Sequence, residues 1–384
     1  MLVTVLMVKN EGQTIGATLK PFLDAGVRNY LILDTGSIDN TVLIAHQLLK
    51  KAGVCYQLVQ EEFIDFSVSR NRALALAEQM FPESSFLIMP DAEWILQNVS
   101  KLLFFCEQEI DSDTPLYLIK IHMENLAFYS ARLFRATANI RFIGAVHEVP
   151  SVMAISKIPE SVYFDFKSSH QGRENSKTRW TSDLALLLNE YQTDILAPNP
   201  RTVFYLAQTY ECLELLNEAC FFYSLRATLK GWDEETYMAI LRLGFIAENR
   251  SKLSPDLFSW ETALQYYHHA FSLRPQRIEP LVRIADHYWP DNIPLCYLYA
   301  NYACQTPYPS EDILFVDTFM YDYVCFEILS RCAWYLQKYT EGLDATKRAL
   351  SIRPNTPHLL NNLCLYENKL KDLTNSLHPL CQRQ

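Results

Sequence analysis

The chain has 384 residues, with 34 basic and 44 acidic side chains and a formal net charge of −10. Apolar residues make up 49% and charged residues 20%, which is ordinary globular usage and excludes wholesale disorder. The acidic balance, with no cluster of Lys and Arg, argues against a nucleic-acid or anionic-membrane partner. No run of about 18 apolar residues occurs, so no transmembrane helix is expected. The apolar start Met1–Val8 lacks a basic leader and reads as a first strand, not a signal peptide. Ten cysteines without a C-x-x-C pair fit a reducing, cytoplasmic setting and disfavour a zinc ribbon. Cys212, Cys220, Cys296, Cys304, Cys325 and Cys332 lie in apolar helical stretches and read as buried free thiols.

The first part alternates strands and helices. Leu2–Val8 is a nearly continuous apolar run, as a strand buried on both faces should be. Asn10-Glu11-Gly12 breaks it, and Thr14 to Ala25 reads as a helix ending at Gly26. Tyr30–Leu33 is a second buried strand. Asp39 is placed to cap a helix running to Ala52, with Gly53 as its stop. Val54–Val59 is a third strand, Ser67–Met80 a helix and Phe86–Met89 a fourth strand. Repeated βα units of this length predict a doubly wound, mainly parallel α/β sheet. Ligands bind such sheets beyond the carboxyl ends of the strands.

Seven of the ten glycines fall at or before Gly172, and beyond it the chain reads as helix. Trp260–Pro275 aligns with Tyr339–Pro354 at an offset of 79 residues, with small residues matched at Ala263/Gly342 and Ala270/Ala349. That spacing is about two helix-pair repeats and resembles a degenerate tetratricopeptide (TPR) array, interrupted by Pro290, Pro294, Pro307 and Pro309. The expected division is an α/β domain over 1–172 and an all-α TPR-like domain over 173–384.

Acids gather at the strand exits: Glu11 after the first, Asp34 after the second, Asp91 and Glu93 after the fourth. Helix capping accounts for Asp39 and could account for Asp34. It does not account for Asp91-Ala92-Glu93, two carboxylates at the mouth of a buried strand. Hard oxygen ligands of that kind suit Mg²⁺ or Mn²⁺ bound to a diphosphate.

The ordered segments Val8–Glu11 (VKNE), Leu33–Thr41 (LDTGSIDNT), Asp65–Leu74 (DFSVSRNRAL) and Leu87–Trp94 (LIMPDAEW) resemble family 2 glycosyltransferases of the nucleotide-diphospho-sugar (GT-A) fold. The later Ser130–Arg135, Arg141–Glu148, Ser169–Gly172 and Asn199–Tyr210 are similar to the subgroup with a C-terminal TPR-like region. The resemblance implies a hexosyltransferase that moves a sugar from a UDP-sugar donor. It implies a nucleotide site at Val8, Asn10, Glu11, Asp34, Arg70 and Asp91, with Asp34 on the uracil and Arg70 on the diphosphate or base. It implies a Mn²⁺ or Mg²⁺ site at Asp91, Glu93 and His170, and Glu148 as catalytic base, with His147 near the acceptor or metal. Arg132 and Arg135 line the product phosphate or support the sheet. The departure from the family pattern is Glu93 where an Asp is usual.

The chemistry is coherent by itself. A divalent cation stabilises a departing diphosphate as a Lewis acid, and a carboxylate base takes the proton of the attacking hydroxyl. One such base without a second nucleophilic carboxylate favours single displacement with inversion. The helical part suits a protein, peptide or glycan acceptor, or self-association. The rival reading is a TPR-type protein-binding scaffold with a catalytically degenerate α/β part.

Overall fold

The computed structural model describes residues 1–123, 126–152, 156–166 and 176–377. The chain divides into two compact units, Met1–Leu215 and Leu216–Gln384.

The first unit is mixed α/β. Its strands are β1 (Leu2–Val8), β2 (Asn29–Asp34), β3 (Cys55–Gln60), β4 (Phe86–Ile88), β5 (Trp94–Gln97), β6 (Leu116–Met123), β7 (Leu126–Arg135), β8 (Phe142–Ile143), β9 (Val149–Pro150) and β10 (Tyr163–Phe166). The main sheet runs in the order β3-β2-β1-β4-β7-β6-β10-β5. Its half β3-β2-β1-β4 is parallel, as the βα alternation predicts. The expectation of a mainly parallel sheet fails beyond β4. There β7 enters antiparallel to both β4 and β6, and β5 runs antiparallel to β10. The cause is connection length: only residues 124 and 125 separate β6 from β7, too few for a parallel crossover.

The helices α1 (Ile15–Asp24), α2 (Thr41–Ala52), α3 (Phe66–Met80) and α4 (Val99–Gln108) follow β1, β2, β3 and β5. On α1, Ile15, Leu19 and Phe22 sit one turn apart and are wholly buried. Truncating such a phenylalanine to alanine costs about 3–5 kcal/mol. Gly53 closes α2 in the left-handed region at φ 63°, where a Cβ would be strained. Helices Ser176–Thr193 and Pro200–Cys212 belong to this same unit.

The second unit is helical. Its helices span Leu216–Thr228, Asp233–Leu253, Trp260–Leu273, Glu279–His287, Ile293–Gln305, Cys325–Cys332, Tyr339–Ile352 and Pro357–Leu377. Each packs on the next in chain order, as a repeat array requires. The aligned pair Trp260–Leu273 and Tyr339–Ile352 are both helices of 14 residues. Pro294 does not interrupt a helix; it sits in the first turn of Ile293–Gln305, where a missing N–H costs nothing. Arg277 is wholly buried and bonds Glu279 at 2.7 Å and the Phe315 carbonyl at 3.0 Å, so its charge is compensated. Among the described cysteines, Cys296, Cys325 and Cys332 are buried, Cys220 and Cys304 half-buried, and Cys212 exposed. The expectation of burial fails for Cys212, which ends its helix. No helix among the described residues is long and apolar enough to cross a membrane.

Candidate active site

Strand order reverses at β1: its chain successor β2 lies on one side and β4 on the other. The crevice beyond the carboxyl ends of β1 and β4 is thus the topological switch point. Val8 is buried at the end of β1. The loop after it is laced to the β2 exit. The Asn10 N–H donates to Ser37 Oγ at 2.8 Å, and Asn10 Oδ1 accepts from the Ile38 N–H at 2.8 Å. The Glu11 N–H donates to Thr41 Oγ1 at 2.6 Å, and Asp39 accepts from the backbone of both Gly12 and Thr41 at 3.0 Å. Asp39 therefore caps α2 from one residue before the N-cap position, which Asn40 holds.

Asp34 is wholly buried. Its carboxylate accepts from the Ser37 N–H at 3.2 Å and from Gln60 Nε2 at 3.2 Å. The tight turn Thr35–Ser37 and the neighbouring strand's Gln60 cover it.

Beyond β4 four charged side chains join. Arg70, on the first turns of α3, donates through Nη2 to Asp91 Oδ1 at 2.6 Å and through Nε to Glu148 Oε1. Arg132, on β7, donates through Nη2 to Asp91 Oδ2 at 3.3 Å and lies over the Trp94 ring at 4.9 Å. Its buried Nε has no hydrogen-bond partner among the described residues. Both guanidinium groups are buried and Glu148 nearly so, while Asp91 is about one-third exposed. Burial pushes the Asp91 carboxyl up, but Arg70 and Arg132 outweigh it and hold the group below the usual range. Burial likewise opposes the Arg70 charge, and Asp91 and Glu148 more than restore it. Two cations and two anions make a neutral quartet, buried except at Asp91.

Neighbours hold this quartet in place. Asp65 caps α3 by accepting from the Val68 N–H at 2.7 Å. Asn71 pairs with the Phe142 backbone through both ends of its amide, at 2.6 and 2.9 Å. Gly144 adopts φ 102°, the left-handed turn that leads into Glu148. On the other side, Thr18 Oγ1 of α1 donates to the Ala92 carbonyl between Asp91 and Glu93.

Glu93 is half-buried and makes no hydrogen bond among the described residues. Its pKa is raised by burial and by Asp91, against the pull of Arg179. Glu11 is raised too, by burial first and then by Glu93, Asp91 and Asp39, although Thr14 donates to it at 2.6 Å. These carboxylates repel one another across the crevice, which is the setting a divalent cation relieves. Glu93 offers the hard oxygen donor that suits Mg²⁺ or Mn²⁺, whereas both Asp91 oxygens accept from arginines, so Asp91 would join such a site by giving up one of these bonds. Among the described residues no three His, Cys, Asp or Glu converge as a metal-binding group. His170, the third ligand expected from the sequence, lies outside the described residues.

His147, at φ 54°, stacks on Tyr205 with ring centroids 3.7 Å apart, and its carbonyl accepts from Arg201 Nε at 3.2 Å. Packing of the ring, then Arg201 and Arg179, push its pKa down, so the imidazole is neutral at pH 7. Arg135 does not reach the crevice. It donates to the carbonyls of Glu109, Ile110 and Thr114 and supports the sheet. Sequence reading missed Thr18, Arg179 and Arg201. Arg201 stood in the Asn199–Tyr210 segment; Thr18 and Arg179 carried no motif signal.

No protein-family model matches the sequence, and no curated protein matches it. Solved structures similar to the chain include S. aureus TarS 1-349, at 15% identity and a TM-score of 0.34, over 75% of this chain and 86% of that one. They also include glucosyl-3-phosphoglycerate synthase from Mycobacterium tuberculosis, solved with Mn²⁺, UDP-glucose and phosphoglyceric acid, at 18% identity and a TM-score of 0.24, over 32% and 43%. The C-terminal part of a TPR repeat-containing protein from Cytophaga hutchinsonii gives 14% identity and a TM-score of 0.37, covering 50% of this chain; 66% of that chain is spanned. These values fall short of demonstrating a common fold.

Proposed function

We propose that the chain is a metal-assisted inverting glycosyltransferase that moves a sugar from UDP to an acceptor hydroxyl. The observation that carries this reading is the Arg70–Asp91–Arg132–Glu148 quartet at the switch point, beside a Glu93 carboxylate with no hydrogen bond among the described residues. Asp91 and Glu93, with His170, would hold the divalent cation. Bound there, the cation takes up charge developing on the leaving diphosphate.

The chain's own groups supply the rest. Arg70 and Arg132 face the same diphosphate, for whose oxygens their guanidinium groups are charge-assisted donors. Arg70 gives the link between binding and catalysis. Its guanidinium is shared by Asp91 and Glu148, so an arriving diphosphate competes for it. Glu148 is then released to take the acceptor's proton. Asp34 reaches the uracil by exchanging its bond from the Ser37 N–H or from Gln60 for one from the base.

The test is donor hydrolysis and UDP binding measured with Mn²⁺, with Mg²⁺ and with EDTA. The reading expects metal-dependent turnover of at least one UDP-sugar, abolished in Glu93→Ala and lost in Glu148→Gln with UDP binding retained. A folded chain that neither binds UDP nor turns over any UDP-sugar would support the scaffold reading instead.

A further inference from the structure

We infer that the helical unit carries a second binding site, a groove for a neutral oligosaccharide at its C-terminal end. The groove encloses about 480 Å³, within the range of roughly 300–1,000 Å³ for small-molecule sites. It lies entirely in the second unit, on Cys325–Cys332, Pro357–Leu377 and the segments carrying Trp289 and Tyr335.

Four aromatic rings line it: Trp289, Trp334, Tyr335 and Tyr366. Trp289 and Tyr335 lie 5.8 Å apart at 57°, and Trp334 packs on Tyr339 and Tyr366 at 5.2 and 5.4 Å. Tyr335 is 64% exposed. An exposed, rigid aromatic face costs solvation unless a flat apolar surface covers it. The C–H face of a pyranose ring is such a surface.

The polar groups favour hydroxyls over charges. Glu327 accepts from Arg331 Nη2 at 2.9 Å and pairs with His358 Nε2 at 2.9 Å, and Asp286 takes a further bond from Arg331 at 3.2 Å. Two carboxylates face the single Arg331 guanidinium, so an approaching carboxylate or phosphate meets an excess of negative charge, and the Arg331 Nε, without a partner among the described residues, is buried out of a ligand's reach. An acidic peptide is disfavoured on this ground. What remains for a ligand is amide. Asn361 is exposed with no side-chain hydrogen bond among the described residues. Asn362 spends its Nδ2 on Ser330 Oγ at 3.1 Å and keeps its Oδ1 acceptor. Aromatic faces flanked by neutral donors and acceptors match a sugar's alternation of C–H faces and hydroxyl edges.

This inference stands apart from the catalytic reading, because none of these residues belongs to the site described above. The test is calorimetric titration of the full chain with a panel of neutral oligosaccharides: chitohexaose, cellohexaose, maltohexaose, mannohexaose and galactohexaose. Binding of at least one is expected, with affinity falling at least about fivefold in Tyr335→Ala, the size of one aromatic contact, and likewise in Asn361→Ala. Both residues are exposed, so the variants keep the fold, which circular dichroism checks; UDP binding should not change in either. The inference is overturned if no member of the panel binds at millimolar concentration. It is also overturned if binding is insensitive to both substitutions, or if a glutamate-rich peptide binds the groove in preference to every sugar.

Discussion

Arg70→Lys separates charge from geometry at the quartet. Arginine bonds Asp91 through Nη2 at 2.6 Å and Glu148 through Nε at the same time. Lysine keeps the charge but is a point donor on a flexible stem and cannot span both carboxylates. Asp91 retains Arg132, so the loss falls on Glu148, whose side chain is only 8% exposed. Losing one charge-assisted bond costs about 1.5–3 kcal/mol, which is roughly 10- to 150-fold in a rate constant at about 1.4 kcal/mol per tenfold. If Arg70 must grip the diphosphate in the transition state, where lysine cannot reproduce its forked bond, kcat/KM for transfer should fall by about that factor, and the lost Glu148 bond should lower thermal stability as well. Adding Glu148→Gln to Arg70→Lys should restore stability by removing the unpaired charge, and should not restore transfer. The assay is sugar transfer well below Tm, alongside a melting curve for each variant. An Arg70→Lys enzyme with unchanged kcat/KM would refute the coupling of Arg70 to catalysis. Recovery of activity in the double variant would show that the quartet is only structural.

Thr18→Val removes the buried donor to the Ala92 carbonyl; leaving that carbonyl unmet should cost about 1–3 kcal/mol, read as a lower Tm and weaker metal-dependent UDP binding. Gly342→Ala should destabilise the helical unit by at least about 1–3 kcal/mol in denaturant titration, because the new Cβ would lie 2.2 Å from the Tyr366 ring; an unchanged midpoint would show that this helix pair is packed otherwise. Burial opposes ionisation of Asp312, but Arg274 and Arg277 hold its pKa below the ordinary carboxylate value. A depressed folded-state pKa gives stability that is full above the unfolded value near 3.9 and is lost as pH falls through the folded one. Acid titration of the wild type should therefore show a loss of stability below about pH 4 that is smaller in Asp312→Asn.

The parallel half of the sheet was legible because period and punctuation agreed. The run Leu2–Val8 matches β1 residue for residue, and Gly53 stops α2 where a left-handed residue was expected. Beyond β4 the strands carry no such βα punctuation, and polar residues such as Lys120, His122 and Ser130 break up the apolar runs of β6 and β7. That gap also hid which arginine matters. Arg132 and Arg135 lie three residues apart on β7, and the ladder with β6 shifts register at Arg132, which is the extra residue between Ala131 and Leu133, so counting along the sequence does not settle which face each takes. Only once the strand is known does Arg132 fall to the crevice and Arg135 to the carbonyls behind it. The carboxylates after β4 were visible as a motif. The pairing of Arg70 with Glu148, 78 residues apart, is set by tertiary contact alone. The burial of Asp34 is not legible in the sequence, because the donors around it come from a turn and from a neighbouring strand.

The central claim is that the switch-point crevice holds a metal-bound UDP-sugar. Its most direct test is a crystal of the chain grown with UDP and Mn²⁺, with data collected at the manganese absorption edge. The account predicts one anomalous peak bridging the Asp91 and Glu93 carboxylates at about 2.0–2.6 Å, with the diphosphate against Arg70 and Arg132 and the uracil beside Asp34. A well-ordered UDP bound elsewhere, or a filled crevice with no manganese between Asp91 and Glu93, would contradict it.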